Sequence, residues 1–355
     1  MNEKSRYRLL YQQQGLPIFQ NRMYGSSDEA KNCLRGDIDL VEDQLTGLVY
    51  NKAFDASLMV YDSSYQNEQG VSPLFLNHLK QVSDIVFLHL GNKSIIEVGC
   101  GKGLFLEILA QNDCDITGFD PTYEGHNEKI KKEYFSPEIG MKAKGLVLRH
   151  VLEHIQDPYN FLKLLQTANG GGGKIYIEVP CFDWICSHDA WFDIFYEHVN
   201  YFRIADFYRM FSTVIVSGHL FGGQYLYVVA DLATLREPSL DYGNQVQFPE
   251  NFGKSLTEKV KLSSGDIAIW GGASKGVIFA LYSERAGRSV GAVIDINPAK
   301  QGKYLPLTGL LVQSPNAALK NLPRGASIVV MNSNYLEEIK SMSNNLYNYI
   351  GVDYD

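Results

Sequence analysis

Glu197 and His198 stand side by side in WFDIFYEHVNYF, residues 191–202. A carboxylate next to an imidazole can fix one tautomer and tune the ring toward neutral pH as a proton acceptor. The aromatic residues around the pair would floor an apolar site for a sugar or a base. Two glycine loops offer binding chemistry. In SIIEVGCGKG the glycines fall at Gly99, Gly101 and Gly103, and Asp120 closes the next strand in ITGFDP, 17 residues later. In IAIWGGASKG, Gly271, Ala273 and Gly276 match G-x-G-x-x-G with alanine in the middle. Lys275 adds a cation for a diphosphate, and Asp295 closes the following strand 19 residues after Gly276.

Each loop needs a strand before it and a helix after it, and the sequence supplies both. From residue 72, SPLFLNHLKQVSDIVFLHL has helical apolar spacing with Ser-Pro at its entry. KSIIEV, CDITGF, GLVLR and GKIYIEV read as buried strands alternating with helices, which implies a mostly parallel, doubly wound sheet. The pattern loosens near Pro238, and a second alternation runs from DIAIW to GASIVVMN. The expected fold is α/β, in three parts: residues 1–70, 71–237 and 238–355.

Composition agrees with this frame. The 355 residues exceed one domain of roughly 100–200. A net charge of −8 draws in neither nucleic acid nor anionic lipid, so neither is expected as a partner. No apolar run is long enough to span a bilayer, and MNEKSRYRLLYQQQG lacks the core of a signal peptide. The five cysteines, Cys33, Cys100, Cys114, Cys181 and Cys186, form no C-x-x-C pair. Reduced thiols in a cytoplasmic protein are the expectation.

The first loop is tighter than a dinucleotide loop. S-adenosylmethionine has no phosphate, and its methionine and ribose can lie directly across such a turn. Asp120 would then accept the ribose hydroxyls, and Glu97 would accept from the methionine ammonium. The HVLEH segment, with His150, Glu153 and His154, carries the H-x-x-E-H order of some metalloproteases. With no further ligands evident in the sequence, no metal is expected there.

E-V-G-C-G-K-G, G-F-D-P and L-R-H-V-L-E-H-I-Q-D-P together resemble class I S-adenosylmethionine-dependent methyltransferases. The resemblance places His150 near the adenosine or the sulfonium of the cofactor, and Cys100 belongs to the cofactor-binding loop. E-H-V-N-Y-F, the later G-G-Q-Y-L-Y and the C-terminal unit are similar to sugar methyltransferases of nucleotide-sugar pathways, which methylate carbon 3 of a dTDP-4-keto-deoxysugar. That family has a zinc-bearing N-terminal segment, a methyltransferase core and a C-terminal Rossmann-like domain. The resemblance implies Glu197 and His198 as the catalytic pair, with His198 as base, and a nucleotide-sugar substrate near Tyr201, Gly222, Gly223, Gly271, Lys275 and Asp295. It implies a chain acting alone or as a homodimer.

Two departures stand out. The family's tyrosine three positions before the histidine falls on Phe195, with Tyr196 next to it as a substitute. A further tyrosine of the site falls on Tyr65 first and Tyr61 second. The paired zinc cysteines are absent: Asp43 and Thr46 occupy the place of one pair, and only Cys33 remains nearby. A structural zinc needs four ligands, so the segment is expected to hold its shape without metal. The rival readings are a sugar O-methyltransferase, an oxidoreductase using NAD at the second loop, and a non-catalytic nucleotide-sugar-binding protein.

Overall fold

The computed structural model describes residues 6–59, 70–253 and 267–353. Tyr61 and Tyr65 lie outside the described residues. In the N-terminal part, β1 (Tyr7–Pro17), a short helix α1 (Ser27–Lys31), β2 (Arg35–Asp43) and β3 (Val49–Asn51) build an antiparallel sheet. The polar, tyrosine- and glutamine-rich stretch of residues 7–17 carries little periodicity because one β1 face is only half covered. Asp43 and Thr46 close the β2–β3 turn. Asp43 takes a two-pronged contact from Arg6 at 2.8 and 3.2 Å and accepts from Leu45 N at 2.9 Å; Thr46 Oγ1 accepts from Leu48 N at 3.2 Å.

The first α/β unit opens with α2 (Pro73–Leu90). Ser72 caps it through Phe75 N at 3.3 Å, and proline sits at its first position, where a missing N–H costs nothing. Next come β4 (Ile95–Val98), α3 (Leu104–Gln111), β5 (Ile116–Phe119), β6 (Ile130–Lys131), β7 (Gly145–Arg149), α4 (Pro158–Ala168), β8 (Lys174–Pro180) and α5 (Phe182–Ser187). Then follow β9 (Asn200–Tyr201), α6 (Ile204–Met210), β10 (Val214–Leu220) and β11 (Tyr225–Asp231). The seven-stranded sheet runs β10-β11-β8-β7-β4-β5-β6, parallel except that β11 is antiparallel to both neighbours. Buried on both faces, β4, β5, β7 and β8 read as continuous apolar runs. β9 leaves this unit and pairs with β3, so the N-terminal sheet is completed by the segment that carries His198.

The second α/β unit holds β12 (Ile267–Trp270), α7 (Lys275–Arg285), β13 (Val290–Ile294), β14 (Val312–Gln313), α8 (Pro315–Asn321), β15 (Ser327–Val330), α9 (Leu336–Met342) and β16 (Asn348–Gly351). Its sheet order is β14-β13-β12-β15-β16, parallel throughout. In both sheets chain order reverses at one strand, β4 in the first and β12 in the second. Crevices for ligands open at such points, beyond the carboxyl ends of the strands.

Tyr196 belongs to the frame and not to the site. It is buried, its ring stacks on Phe54 with centroids 5.3 Å apart, and its hydroxyl accepts from Asp55 N at 2.8 Å. Gly36 of β2 makes room for that ring, since a Cβ there would lie 2.2 Å from it. Tyr196→Phe should therefore cost about 1 kcal/mol for the lost hydrogen bond and leave turnover intact. Gly36→Ala should cost about 1–3 kcal/mol through overpacking. Denaturant unfolding beside a turnover assay checks both; a large loss of turnover in a stable Tyr196→Phe chain would return that residue to the site.

Candidate active site

One cavity of about 380 Å³ lies between the two α/β units, and both reversal strands deliver their loops to it. Glu97 and Gly99–Gly101 come from the end of β4, Arg149 and His150 from β7, Trp270 and Gly271 from β12, and Asp295 from the end of β13. The volume falls within the ordinary range for small-molecule sites.

On the β4 side all three glycines have positive φ: 71° at Gly99, 54° at Gly101 and 86° at Gly103. A Cβ at Gly99 would lie 2.4 Å from Val151, whereas one at Gly101 would meet nothing within 4 Å. Gly101 is thus the open floor of the cradle. Glu97 is buried and lines the cavity, and its Oε2 has no hydrogen-bond partner. Burial pushes its pKa up to about 8, against the pull of Arg149. Cys100 is buried beneath the loop, and burial raises its thiol far out of the nucleophilic range. Asp120 does not line the cavity. Its Oδ2 accepts from Gly101 N at 2.8 Å, and Oδ1 accepts from Thr122 N and Thr122 Oγ1 at 2.8 and 2.7 Å. Asp120 thus shapes the loop from behind and keeps one acceptor position on Oδ2.

Behind the cavity lies a buried charge cluster that sequence reading passed over. Glu178 of β8 accepts from Arg149 at 3.0 Å, from Tyr176 at 2.7 Å, and meets His78 at 3.2 Å. Burial opposes its charge, but Arg149 and the imidazoles hold its carboxyl well below the usual range. His150 Nδ1 lies 3.3 Å from Glu153 Oε1, and Nε2 lies 3.1 Å from Glu178 without hydrogen-bond alignment. Burial works against its charge too, yet the two carboxylates raise its pKa to about 9. The available signal was the acid inside the apolar strand KIYIEVP: such a residue needs a buried partner.

His198 lines the opposite wall, with Phe195 and His154. The rings of His154 and His198 meet edge to face at 4.9 Å, and Phe195 lies 4.1 Å from His198. Burial, then the neighbouring His154 and His150, hold the pKa of His198 well below its ordinary value, so the ring is neutral. Glu197 does not orient it. The wholly buried Glu197 carboxylate accepts from the backbone N–H of Gln20 and Asn21, and the Glu197 carbonyl takes His154 Nδ1 at 2.8 Å. The cause is a turn: His198 N donates to Phe195 O at 3.3 Å, which puts Tyr196 and Glu197 at the corner, facing away. Tyr201 pins that turn, its hydroxyl bridging Phe195 N and Phe195 O, both at 3.1 Å, and does not itself line the cavity.

The second loop is engaged in holding the units together. Lys275 pairs with Asp193 at 3.1 Å, donates to Gln224 Oε1 at 3.1 Å and lies 5.0 Å from the Trp184 ring centroid. Its ammonium is committed to this clasp and not left open for a diphosphate. Asp295 accepts from Gly272 N at 2.9 Å and from Asn297 N at 2.8 Å. Gly276 allows the close packing of loop on helix: a Cβ would lie 1.8 Å from Gly271 O. Gly222 and Gly223 form the β10–β11 turn, against Asn334 and Trp184, outside the cavity. Among the described residues no helix is long and apolar enough to cross a membrane.

Because Glu197 secures the N-terminal segment, Glu197→Gln should lower stability by about 1 kcal/mol, the difference between a charged and a neutral acceptor. Denaturant unfolding measures this. An unchanged unfolding midpoint together with a collapse of turnover would restore Glu197 to a direct catalytic part.

Two family profiles match the chain. Residues 74–214 match one described as a methyltransferase domain, and residues 237–351 match one described as a C-methyltransferase C-terminal domain. Ubiquinone biosynthesis O-methyltransferases of Yersinia pestis and Yersinia pseudotuberculosis are 26% identical over 121 residues, 30% of this chain and 48% of theirs. The chain thus spans about half the length of the curated relatives it matches. Similar solved structures include an S-adenosylmethionine-dependent methyltransferase from Archaeoglobus fulgidus, at 17% identity and TM-score 0.35 over 45% of this chain and 100% of that one. Another is a Burkholderia thailandensis 1,6-didemethyltoxoflavin-N1-methyltransferase with bound S-adenosylhomocysteine, at 14% identity and TM-score 0.34 over 43% of this chain and 77% of that one. Residues 74–214 thus form an α/β unit that matches a methyltransferase domain, and the α/β unit after it matches a C-methyltransferase C-terminal domain over residues 237–351.

Proposed function

We propose that this protein transfers a methyl group from S-adenosylmethionine to a nucleotide-linked sugar, at the carbon next to a 4-keto group. The observation that carries the reading is the shared cavity, which is lined by an open glycine cradle, a buried carboxylate with one unpartnered oxygen and a neutral imidazole. The match of residues 237–351 to a C-methyltransferase C-terminal domain supports carbon over oxygen as the acceptor.

The residues fit the cofactor. Glu97 Oε2 would accept from the methionine ammonium and Gly101 leaves room for the chain of the cofactor, while Asp120 holds the loop in that shape from behind. Bound there, S-adenosylmethionine supplies an electrophilic methyl group on a positively charged sulfur. The protein's own part is alignment and proton handling. His198 would face the acceptor and receive the proton from the carbon beside the ketone, which would free that carbon's electron pair for the methyl group the cofactor supplies. Phe195 and the second unit, which line the same cavity, keep water from the reacting carbon. Alignment supplies much of the rate in such a displacement.

His198→Ala should lower turnover about 10²–10⁴-fold, the usual worth of a positioned base, while cofactor affinity stays the same. Labelled S-adenosylmethionine with a panel of nucleotide 4-keto sugars reads the first, calorimetry the second. Near-normal turnover in the variant, or no methyl transfer to any nucleotide sugar by the wild-type chain, would sink the reading.

Glu97 makes a second outcome measurable. With a pKa near 8, its carboxyl is mostly protonated at pH 7 in the free protein. An ammonium bound against it favours the ionised form, so binding at pH 7 should release a proton, and affinity should fall as the pH drops from 8 toward 6. Calorimetry in buffers of different ionisation enthalpy counts the proton. Glu97→Gln should abolish the release; proton release unchanged in that variant would assign the ammonium to another group.

A further inference from the structure

His198 does not stand alone on its wall. Glu153, His154 and His198 each present one donor atom, and these three atoms lie within 4.8 Å of one another. All three residues line the cavity. Donors on one divalent ion at roughly 2.0–2.2 Å are at most about 4.4 Å apart, so small side-chain adjustments would bring all three onto a shared centre. Two imidazoles and a carboxylate leave coordination positions open and suit first-row divalent metals.

Two further observations point to a cation. Glu153 is 1% exposed, and its Oε2 has no hydrogen-bond partner. A carboxylate oxygen kept out of water with no donor is costly and is satisfied by a metal. The other Glu153 oxygen meets His150 Nδ1 at 3.3 Å, which fixes the direction of the carboxylate. His154 Nδ1 bonds the Glu197 carbonyl at 2.8 Å. A carbonyl has no proton to give, so Nδ1 carries the hydrogen and Nε2 is the basic nitrogen. An outer bond of this kind orients metal-binding histidines.

We propose that Glu153, His154 and His198 bind a divalent transition-metal cation in the cavity, with the open coordination positions facing the acceptor. Vicinal oxygens of a sugar or a sugar ketone complete its shell. While the cation is bound His198 serves as its ligand; the metal-free ring is the one that takes the acceptor's proton. The cation's role in turnover rests on the methyl-transfer reading; its binding does not. The sequence order H-x-x-E-H supplied two of the ligands, and the third lies 44 residues beyond His154, brought in by the turn after residue 195.

The test uses the full chain, treated with chelator and dialysed. Titration with manganese(II) alone, following the paramagnetic resonance of the free ion, should reveal one saturable site per chain. Glu153→Gln, His154→Ala and His198→Ala should each weaken it at least about tenfold, within the range expected for disturbing a metal site. His126→Ala, an exposed histidine, should leave it unchanged. Thermal unfolding is run on every variant. In the wild-type chain, manganese should also broaden the imidazole resonances of His154 and His198 and spare His126, so the proposal stays open to refutation if a variant fails to fold. No saturable binding by wild type, or binding kept by a folded Glu153→Gln chain, overturns the site. S-adenosylmethionine is titrated into the same preparations. Cofactor binding without manganese binding removes the cation and spares the methyl-transfer reading; manganese binding without cofactor binding does the reverse.

Discussion

Glu178 has no exposed surface, and side chains from three elements converge on its carboxylate. Arg149 comes from the end of β7, His78 from α2, Tyr176 from β8 itself, and His150 approaches from the turn after β7. A buried carboxylate persists only with such partners, and removing one partner of a buried pair costs about 3–5 kcal/mol. The constraint reaches the surface of the cavity. His150 takes a positive φ of 51°, a conformation a non-glycine residue holds only when its surroundings fix it. The two carboxylates that grip its ring do so. With His150 fixed, the next turn must carry Glu153 and His154 to the cavity wall.

The cavity itself is a consequence of two sheets with the same topological habit. Each brings its reversal strand and glycine loop to a common space, and neither builds both walls. The clasp between the units is polar and specific: Lys275 with Asp193, and Gln224 with Asn332 and Asp353 at 3.0 and 3.1 Å. The N-terminal part joins in, for Asn21 lines the cavity and accepts from Ser274 of the second loop at 3.1 Å. The site therefore depends on all three parts of the chain being assembled.

Much of this was legible in the sequence because it depends on local pattern. Apolar runs, Ser72-Pro73 and the three glycines with positive φ report backbone needs that a few neighbouring residues settle. The parts that misled depend on which way a side chain points. Glu197 and His198 are adjacent, and adjacency suggested a working pair. At a turn, neighbours leave in different directions, so Phe195 and His198 face the cavity while Tyr196 and Glu197 face the N-terminal sheet. Lys275 looked like an open cation because its partner Asp193 is 82 residues away in sequence. Residues 7–17 hid their strand because a half-covered β1 face tolerates glutamine and tyrosine. In each case the missing information was the position of a distant partner.

Glu97 and Glu178 show how partner position decides function. Both are buried carboxylates on strands flanking β7, and Arg149 acts on both. Arg149 donates a hydrogen bond to Glu178, while Glu97 feels its charge only across space. Glu178, with its other partners, ionises easily and serves as structure. Glu97, with one oxygen unpartnered in the cavity, keeps its proton to about pH 8. Burial is shared, so burial does not separate them. A carboxylate already satisfied by the protein gains nothing from a ligand. One left unsatisfied gains the full charge-assisted contact when a cationic ligand arrives, and that difference is what makes the β4 loop a binding site and the β8 strand its foundation.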